Sequence, residues 1–78
     1  MERELFDHVA AQTKIGRPVR TTVEFSGVPR GTRGRVIRAD RANGGYTLGI
    51  EWDLPERRAT PLVDWFTRGE YERFLVEL

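Results

Sequence analysis

Residues 27–52 constrain the fold more than any other part of the chain. They read GVPRGTRGRVIRADRANGGYTLGIEW, a loop punctuated by glycines followed by two alternating apolar runs. The turn Asn43-Gly44-Gly45 joins the two runs, and such a turn between alternating segments is a strong β-hairpin signal. The sequence therefore predicts a small, sharply bent β-meander.

Alternation of apolar and polar residues predicts five short strands. They cover residues 19–25, 35–39, 46–52, 61–66 and 73–78. Val36 and Ile37 are adjacent and face opposite ways, so the second strand is predicted to bend or to be covered on both sides. Thr67-x-x-Glu70 has the form of a capping box, which predicts a 3₁₀-like turn before the last strand. The apolar positions of the alternating strands are predicted to form the buried core, which contains Val19, Val23, Phe25, Val36, Leu48, Ile50, Trp52 and Phe74.

This plan resembles the Src-homology-3-like small barrels. The run Gly31-Thr-Arg-Gly34-Arg-Val36 is similar to the glycine turn of KOW-type barrels. Residues 46–53 and Asp64-Trp65-Phe66 are similar to small bacterial barrel domains of unknown function. The resemblance implies a mainly β, five-stranded, bent antiparallel barrel over residues 16–78, in a bacterial accessory protein. Type II dihydrofolate reductases share this architecture, but the chain has no counterpart of their Gln-Ile-Tyr segment, so no residue or activity is carried over.

Residues 1–15 are predicted to form a separate N-terminal amphipathic helix, spanning residues 2–12. Leu5, Phe6 and Val9 lie on one stripe, and Gly16 and Pro18 end the helix. Because so short a helix needs packing to persist, the stripe is expected to dock on the open end of the barrel or on a second copy of the chain. A homo-oligomer is therefore one possible arrangement.

Size and composition narrow the class of protein. A chain of 78 residues forms one domain with a thin core, and the absence of cysteine excludes disulfides and thiolate metal sites. No apolar run is long enough to span a membrane, and the first residues lack the apolar core of a signal peptide. We therefore expect a cytoplasmic protein.

Charge is distributed unevenly along the chain, although its net value is only +1. Residues 16–41 carry seven arginines against two acids, whereas residues 50–78 carry seven acids against four arginines. Four of the arginines, Arg30, Arg33, Arg35 and Arg38, are the predicted nucleic-acid-binding residues, acting by phosphate neutralisation. The competing interpretation pairs these arginines with Glu51, Asp53 or Glu56.

The aromatic residues offer a different candidate site. Trp65 and Phe66 are adjacent in a predicted strand, so one is expected in the core and the other at the surface. In Src-homology-3-like barrels an exposed aromatic groove binds extended, proline-rich peptides, and the resemblance therefore implies a protein partner at Trp65 and Tyr71. The alternative interpretation is that both tryptophans only pack in the core.

The sequence contains few residues that could form a catalytic or metal-binding site. A nucleophilic site would have to join His8 to Ser26, the only residues of their types. Glu51, Asp53 and Asp64 could hold magnesium but more often such residues face solvent. The loop before the second strand lacks the Gly-Lys-Ser/Thr ending of a P-loop. The sequence thus predicts a non-enzymatic binding module without cofactor or metal, contacting nucleic acid or, alternatively, a protein.

Overall fold

The computed structural model describes residues 4–25, 27–57 and 59–78. Its strands are β1 (Pro18–Thr21), β2 (Arg33–Ala42), β3 (Gly45–Trp52), β4 (Val63–Phe66) and β5 (Leu75–Glu77). The helices are α1 (His8–Lys14) and α2 (Arg68–Phe74), and a 3₁₀ turn spans Pro55–Arg57. Every strand pairing is antiparallel, so the mainly β class and the five strands are confirmed.

The sheet is open, with the strand order β4-β3-β2-β1-β5. Its two edges are β4 and β5, which are four and three residues long. No ladder joins these edges in the part of the chain that the structure describes, so the five strands form an open sheet and do not close into the predicted barrel. Helix α2 and its cap Thr67 occupy the whole of the chain between β4 and β5.

The segment after β4 is a full α-helix rather than the predicted 3₁₀-like turn. The capping box itself is confirmed. The backbone N–H of Glu70 donates to Thr67 Oγ1 at 3.1 Å, and the backbone N–H of Thr67 donates to Glu70 Oε1 at 2.9 Å. The box satisfies two donors at the helix start, and burial of Tyr71 adds packing. The capping box and the burial of Tyr71 together stabilise a helix of seven residues instead of a single turn.

β1 ends at Thr21, four residues before the predicted end. The buried Thr21 hydroxyl donates to the carbonyl of Val23 at 2.7 Å and accepts from its N–H at 3.2 Å. A side chain bonded to nearby backbone in this way competes with the strand ladder. The chain therefore turns at Thr22, and Phe25 forms an isolated bridge with Val28 instead.

The N-terminal helix begins later than predicted, with Asp7 as its cap, and Glu2 lies outside the described residues. Phe6 precedes the helix in an extended segment that pairs with Tyr46 through hydrogen bonds of 3.0 and 2.8 Å. Phe6 is buried, but Val9 is 71% exposed. Phe6 therefore packs against the sheet, Leu5 is half-buried, and Val9 does not contact the core. Docking of Val9 on a second copy stays a prediction.

The core lies on one face of the sheet, and five of its eight predicted members are buried: Val19, Val36, Leu48, Ile50 and Trp52. Val23, Phe25 and Phe74 are only half-buried. Phe25 nevertheless packs in an aromatic cluster, with ring centres 5.5 Å from Phe66 and 6.0 Å from Phe74. The sequence did not predict these buried residues: Ala11, Val28, Leu54, Tyr71 and Leu75.

Neither α1 nor α2 has the length and apolar character that crossing a membrane requires, and the structure describes no longer helix.

Candidate functional site

Arg33 and Arg35 project from the face of the sheet that lies opposite the core. They alternate with Gly34 and Val36, which oppose the core residues Trp52 and Ile50 on β3. Since side chains alternate along a strand, the two arginines share the outer face. Both are exposed.

A β-bulge at Ile37 brings Arg38 to the same face. The register between β2 and β3 shifts between Val36 and Arg38. Arg35 lies opposite Glu51 and Arg38 lies opposite Gly49, two residues apart on β3 and therefore on one face. Without the bulge Arg38 would point the other way, because one extra residue reverses the alternation. The bend predicted at Val36-Ile37 is confirmed, and its consequence is a row of three arginines.

Arg20 is a further member of this surface that the sequence did not identify. It lies directly opposite Arg33 in the pairing of β1 with β2 and is exposed. The alternating pattern predicts that the Arg20 side chain faces away from the core. The sequence does not give the register of β1 against β2, so it does not predict that Arg20 pairs with Arg33. Like charges directly opposite each other destabilise a sheet, so an anion bound between Arg20 and Arg33 would relieve the repulsion. We call Arg20, Arg33, Arg35 and Arg38 the arginine face.

Trp65 completes this surface. Gly49, already opposite Arg38, is also opposite Trp65 on β4, so Arg38 and Trp65 flank one glycine. The Arg38 guanidinium carbon lies 5.9 Å from the Trp65 ring centre. Trp65 is 43% exposed and its neighbour Phe66 is buried, as adjacency in a strand predicts. The structure therefore merges two candidate sites that the sequence treated separately.

Carboxylates also lie on the arginine face. Asp40 pairs with Arg38 at 3.3 Å, and Glu51 stands opposite Arg35. Among the described residues, however, no ion pair within 4.0 Å involves Arg20, Arg33 or Arg35. One bond of Arg35 goes instead to the carbonyl of Gly16, from Nη1 at 2.8 Å. The predicted pairing of these arginines with Glu51, Asp53 or Glu56 is thus not formed.

An open depression of about 490 Å³ lies where β1, β2 and β3 meet the chain end, and Arg33, Arg35, Glu51 and Asp53 supply its charged lining. Two positive and two negative side chains leave it without a net charge of either sign. An arginine side chain is longer than a glutamate or aspartate, so its guanidinium can reach beyond the acids toward a ligand.

The remaining predicted arginine, Arg30, is exposed in the loop before β2, where no strand pairing fixes its direction. The two glycines beside these arginines differ in their roles. Gly31 has a φ of +87°, a conformation that favours glycine. A Cβ on Gly34 would meet Ile50 and Trp52 at 2.8 Å, so core packing requires this glycine, rather than close approach of a ligand.

Tyr71, the second predicted partner-binding residue, is only 3% exposed. Its ring meets Phe6 edge-on at 5.5 Å between centres, and its hydroxyl donates to Glu77 Oε2 at 2.9 Å. Burial, the hydrogen bond to Glu77 and the charge of Glu77 all raise the pKa of Tyr71 well above its usual range. Tyr71 therefore holds the core together, and it forms no exposed groove with Trp65.

The metal alternative is not brought together among the described residues, and the catalytic pair lies partly outside them. Ser26 lies outside the described residues, and His8 packs against the Tyr46 ring at 5.5 Å. Asp64 accepts a hydrogen bond of 2.7 Å from Trp52 Nε1, because its partner in the ladder is the core residue Ile50. It therefore lies on the opposite face from Glu51. Within the described ranges, no three histidine or acidic side chains converge as metal ligands.

Comparison of the chain with protein-family models, with curated proteins and with solved structures finds no match.

Proposed function

We propose that the chain is a non-enzymatic binding module of Src-homology-3-like type that contacts nucleic acid through the arginine face. The observation that carries this proposal is the bulge at Ile37, which places Arg38 beside Arg33 and Arg35 and next to Trp65. Bulges commonly re-aim a side chain at a functional surface. The pairing of Arg20 opposite Arg33 adds a fourth guanidinium.

Arginine suits contact with phosphate because its planar fork donates two parallel hydrogen bonds to one phosphate group. Arg20 and Arg33 have no carboxylate partner within 4.0 Å among the described residues, so their donors are available. Such contacts position a backbone and carry little sequence information. Binding is therefore expected to be weakly sequence-dependent and strongly salt-dependent.

The test is a titration of labelled duplex and single-stranded oligonucleotides between about 50 and about 200 mM salt. Arg33→Ala with Arg35→Ala should flatten the slope of log affinity against log salt by about one unit per arginine lost. The matched control is Arg41→Ala with Arg73→Ala, which removes the same charge elsewhere. Arg41 lies on β2 but on the other face, beside the Tyr46 ring at 5.9 Å, and Arg73 lies on α2.

Glu51→Gln is expected to change the affinity for nucleic acid in the opposite direction from the arginine substitutions. Glu51 stands opposite Arg35 and repels a phosphate bound there, so its neutralisation should strengthen binding while leaving the arginines in place. No binding of either oligonucleotide at high micromolar protein and low salt would overturn the proposal. A protein partner at the exposed Trp65 would then be the better interpretation.

Self-association through the N-terminal segment stays a prediction. Val9 and Ile15 are 71% and 42% exposed, so apolar surface on and after α1 remains free for a second copy. Sedimentation of the intact chain and of Val9→Glu would measure this directly.

A further inference from the structure

The indole of Trp65 lies flat against the backbone of β3. A Cβ on Gly49 would stand 2.8, 2.8 and 3.1 Å from three carbons of the indole's six-membered ring. Gly49 is buried beneath the ring, although Trp65 itself is 43% exposed. One ring face therefore covers the glycine, and the exposed area lies on the far face and edges.

This arrangement holds the large ring of Trp65 at the surface, where it is not part of the buried core. The other tryptophan, Trp52, is 4% exposed and its indole N–H is bonded to Asp64. Trp65 has neither feature: it is the exposed member of its strand pair, Gly49 lies beneath its ring, and the guanidinium carbon of Arg38 lies over the ring at 5.9 Å from its centre. An exposed aromatic ring beside a row of arginines is the combination that binds single strands, where bases stack on rings and the groove follows the phosphates.

We infer that the arginine face takes a single strand of nucleic acid and that Trp65 holds one unpaired base by stacking on its exposed ring face. This inference rests on the proposed function and deepens it by naming the class of nucleic acid. Arg33, Arg35 and Arg38 follow one another along β2, and neighbouring strands lie about 4.8 Å apart. The Trp65 ring covers Gly49 on β3, the strand next to β2, so the base platform lies about one strand spacing to one side of the arginine row.

A duplex fits this surface poorly. Its bases are stacked inside the helix and offer no free ring face, so it can use only the arginines. A ring seated on the sheet cannot reach into a duplex. A neutral, proline-rich peptide would use Trp65 but leave the arginines without a partner, and charge complementarity therefore favours the nucleic acid.

The experiment compares three labelled ligands of about 12 nucleotides, namely an oligothymidylate, an abasic strand of the same length and charge, and a duplex. At low salt the intact protein should bind the oligothymidylate on the order of tenfold more tightly than the abasic strand, from one stacked base. Trp65→Ala should abolish this difference while leaving the affinity for the abasic strand unchanged, and Trp65→Phe should retain most of it.

Val76→Ala is the matched control, because Val76 is an exposed apolar residue on the same face, opposite Arg20 and away from Trp65. It should leave all three affinities unchanged. Circular dichroism checks that each variant folds. Quenching of tryptophan fluorescence by oligothymidylate gives a readout independent of the label. It should be seen in the intact protein and lost in both Trp65→Ala and Trp65→Phe, which retain only the buried Trp52.

Equal affinity for the oligothymidylate and the abasic strand would overturn the inference and leave the proposed function standing. Duplex binding as tight as single-strand binding would have the same effect. Binding of none of the three ligands would remove the proposed function itself. A proline-rich peptide bound through Trp65, with no oligonucleotide binding, would assign the surface to a protein partner instead.

Discussion

A pair of identical substitutions, Gly34→Ala and Gly49→Ala, probes the two faces of the sheet. The Cβ of Gly34→Ala would lie 2.8 Å from Ile50 Cγ2, 2.8 Å from Trp52 Cε3 and 2.9 Å from the carbonyl oxygen of Glu51. Ile50 and Trp52 are buried and cannot rotate away, and the oxygen belongs to the backbone. The strand must therefore shift or the core must repack.

The magnitude follows from these contacts. Overpacking of a filled core costs about 1–3 kcal/mol. Replacing glycine by alanine also reduces the freedom of the unfolded chain, which offsets about 0.4–1 kcal/mol in both variants. At Gly49 the three atoms nearest to the new Cβ all belong to the ring of Trp65, which is exposed and can swing outward. We expect Gly34→Ala to lose about 1–2 kcal/mol and Gly49→Ala to change by about 0.5 kcal/mol or less.

Thermal unfolding followed by circular dichroism measures both variants. In a domain of this size 1 kcal/mol corresponds to roughly 4–8 °C in Tm, so Gly34→Ala should melt well below the parent chain and Gly49→Ala close to it. Equal melting temperatures for Gly34→Ala and the parent would refute the assignment of Gly34 to the core face. A larger loss in Gly49→Ala would show that Trp65 is held rigidly in place.

Three further predictions concern stability. Ile50→Ala should cost about 2–5 kcal/mol in urea unfolding because Ile50 is completely buried, and a loss below about 1 kcal/mol would contradict the strand phase. Phe6→Ala should cost about 3–5 kcal/mol, whereas Val9→Ala, on an exposed side chain, should be nearly neutral; similar losses would place α1 differently. Burial raises the pKa of Glu77, but hydrogen bonds from Lys14 and Tyr71 and the charges of Lys14 and Arg17 outweigh it, so the net pKa is lowered from 4.5. The folded state therefore gains stability from this carboxylate above pH 4.5 and loses it as the pH falls through the lowered pKa. Tm measured from pH 7 to pH 3 should thus fall less steeply in Glu77→Gln than in the parent chain, and parallel curves would contradict the ion cluster.

The elements that the sequence predicted best are those governed by local patterns. Alternation placed Leu48 and Ile50 on the buried phase of β3, and Asn43-Gly44 placed the hairpin between β2 and β3. Gly44 has a φ of +97°, which is why the turn needs glycine at that position. Each of these features depends on residues close together in the chain.

Most errors arose where distant contacts decide the structure. Burial of Tyr71 extends the capping-box turn into α2. The shortening of β1 is an exception, because the side-chain bonds of Thr21 go to Val23, two residues away. Phe6 is buried by pairing with Tyr46, forty residues away, rather than by a helical stripe. Whether β4 and β5 meet depends on how the whole sheet curves, and no local pattern specifies it.

The candidate site illustrates the same division. The arginine cluster and the exposed tryptophan were both identifiable from the sequence, but their relation was not. It depends on a single residue, Ile37, because the bulge there decides which face Arg38 occupies. The bulge and the pairing of Gly49 with both Arg38 and Trp65 make the two features one surface. If this surface binds a single strand, the bulge is a functional element, and changes at Gly49 should alter binding more than stability, whereas changes at Gly34 should do the reverse.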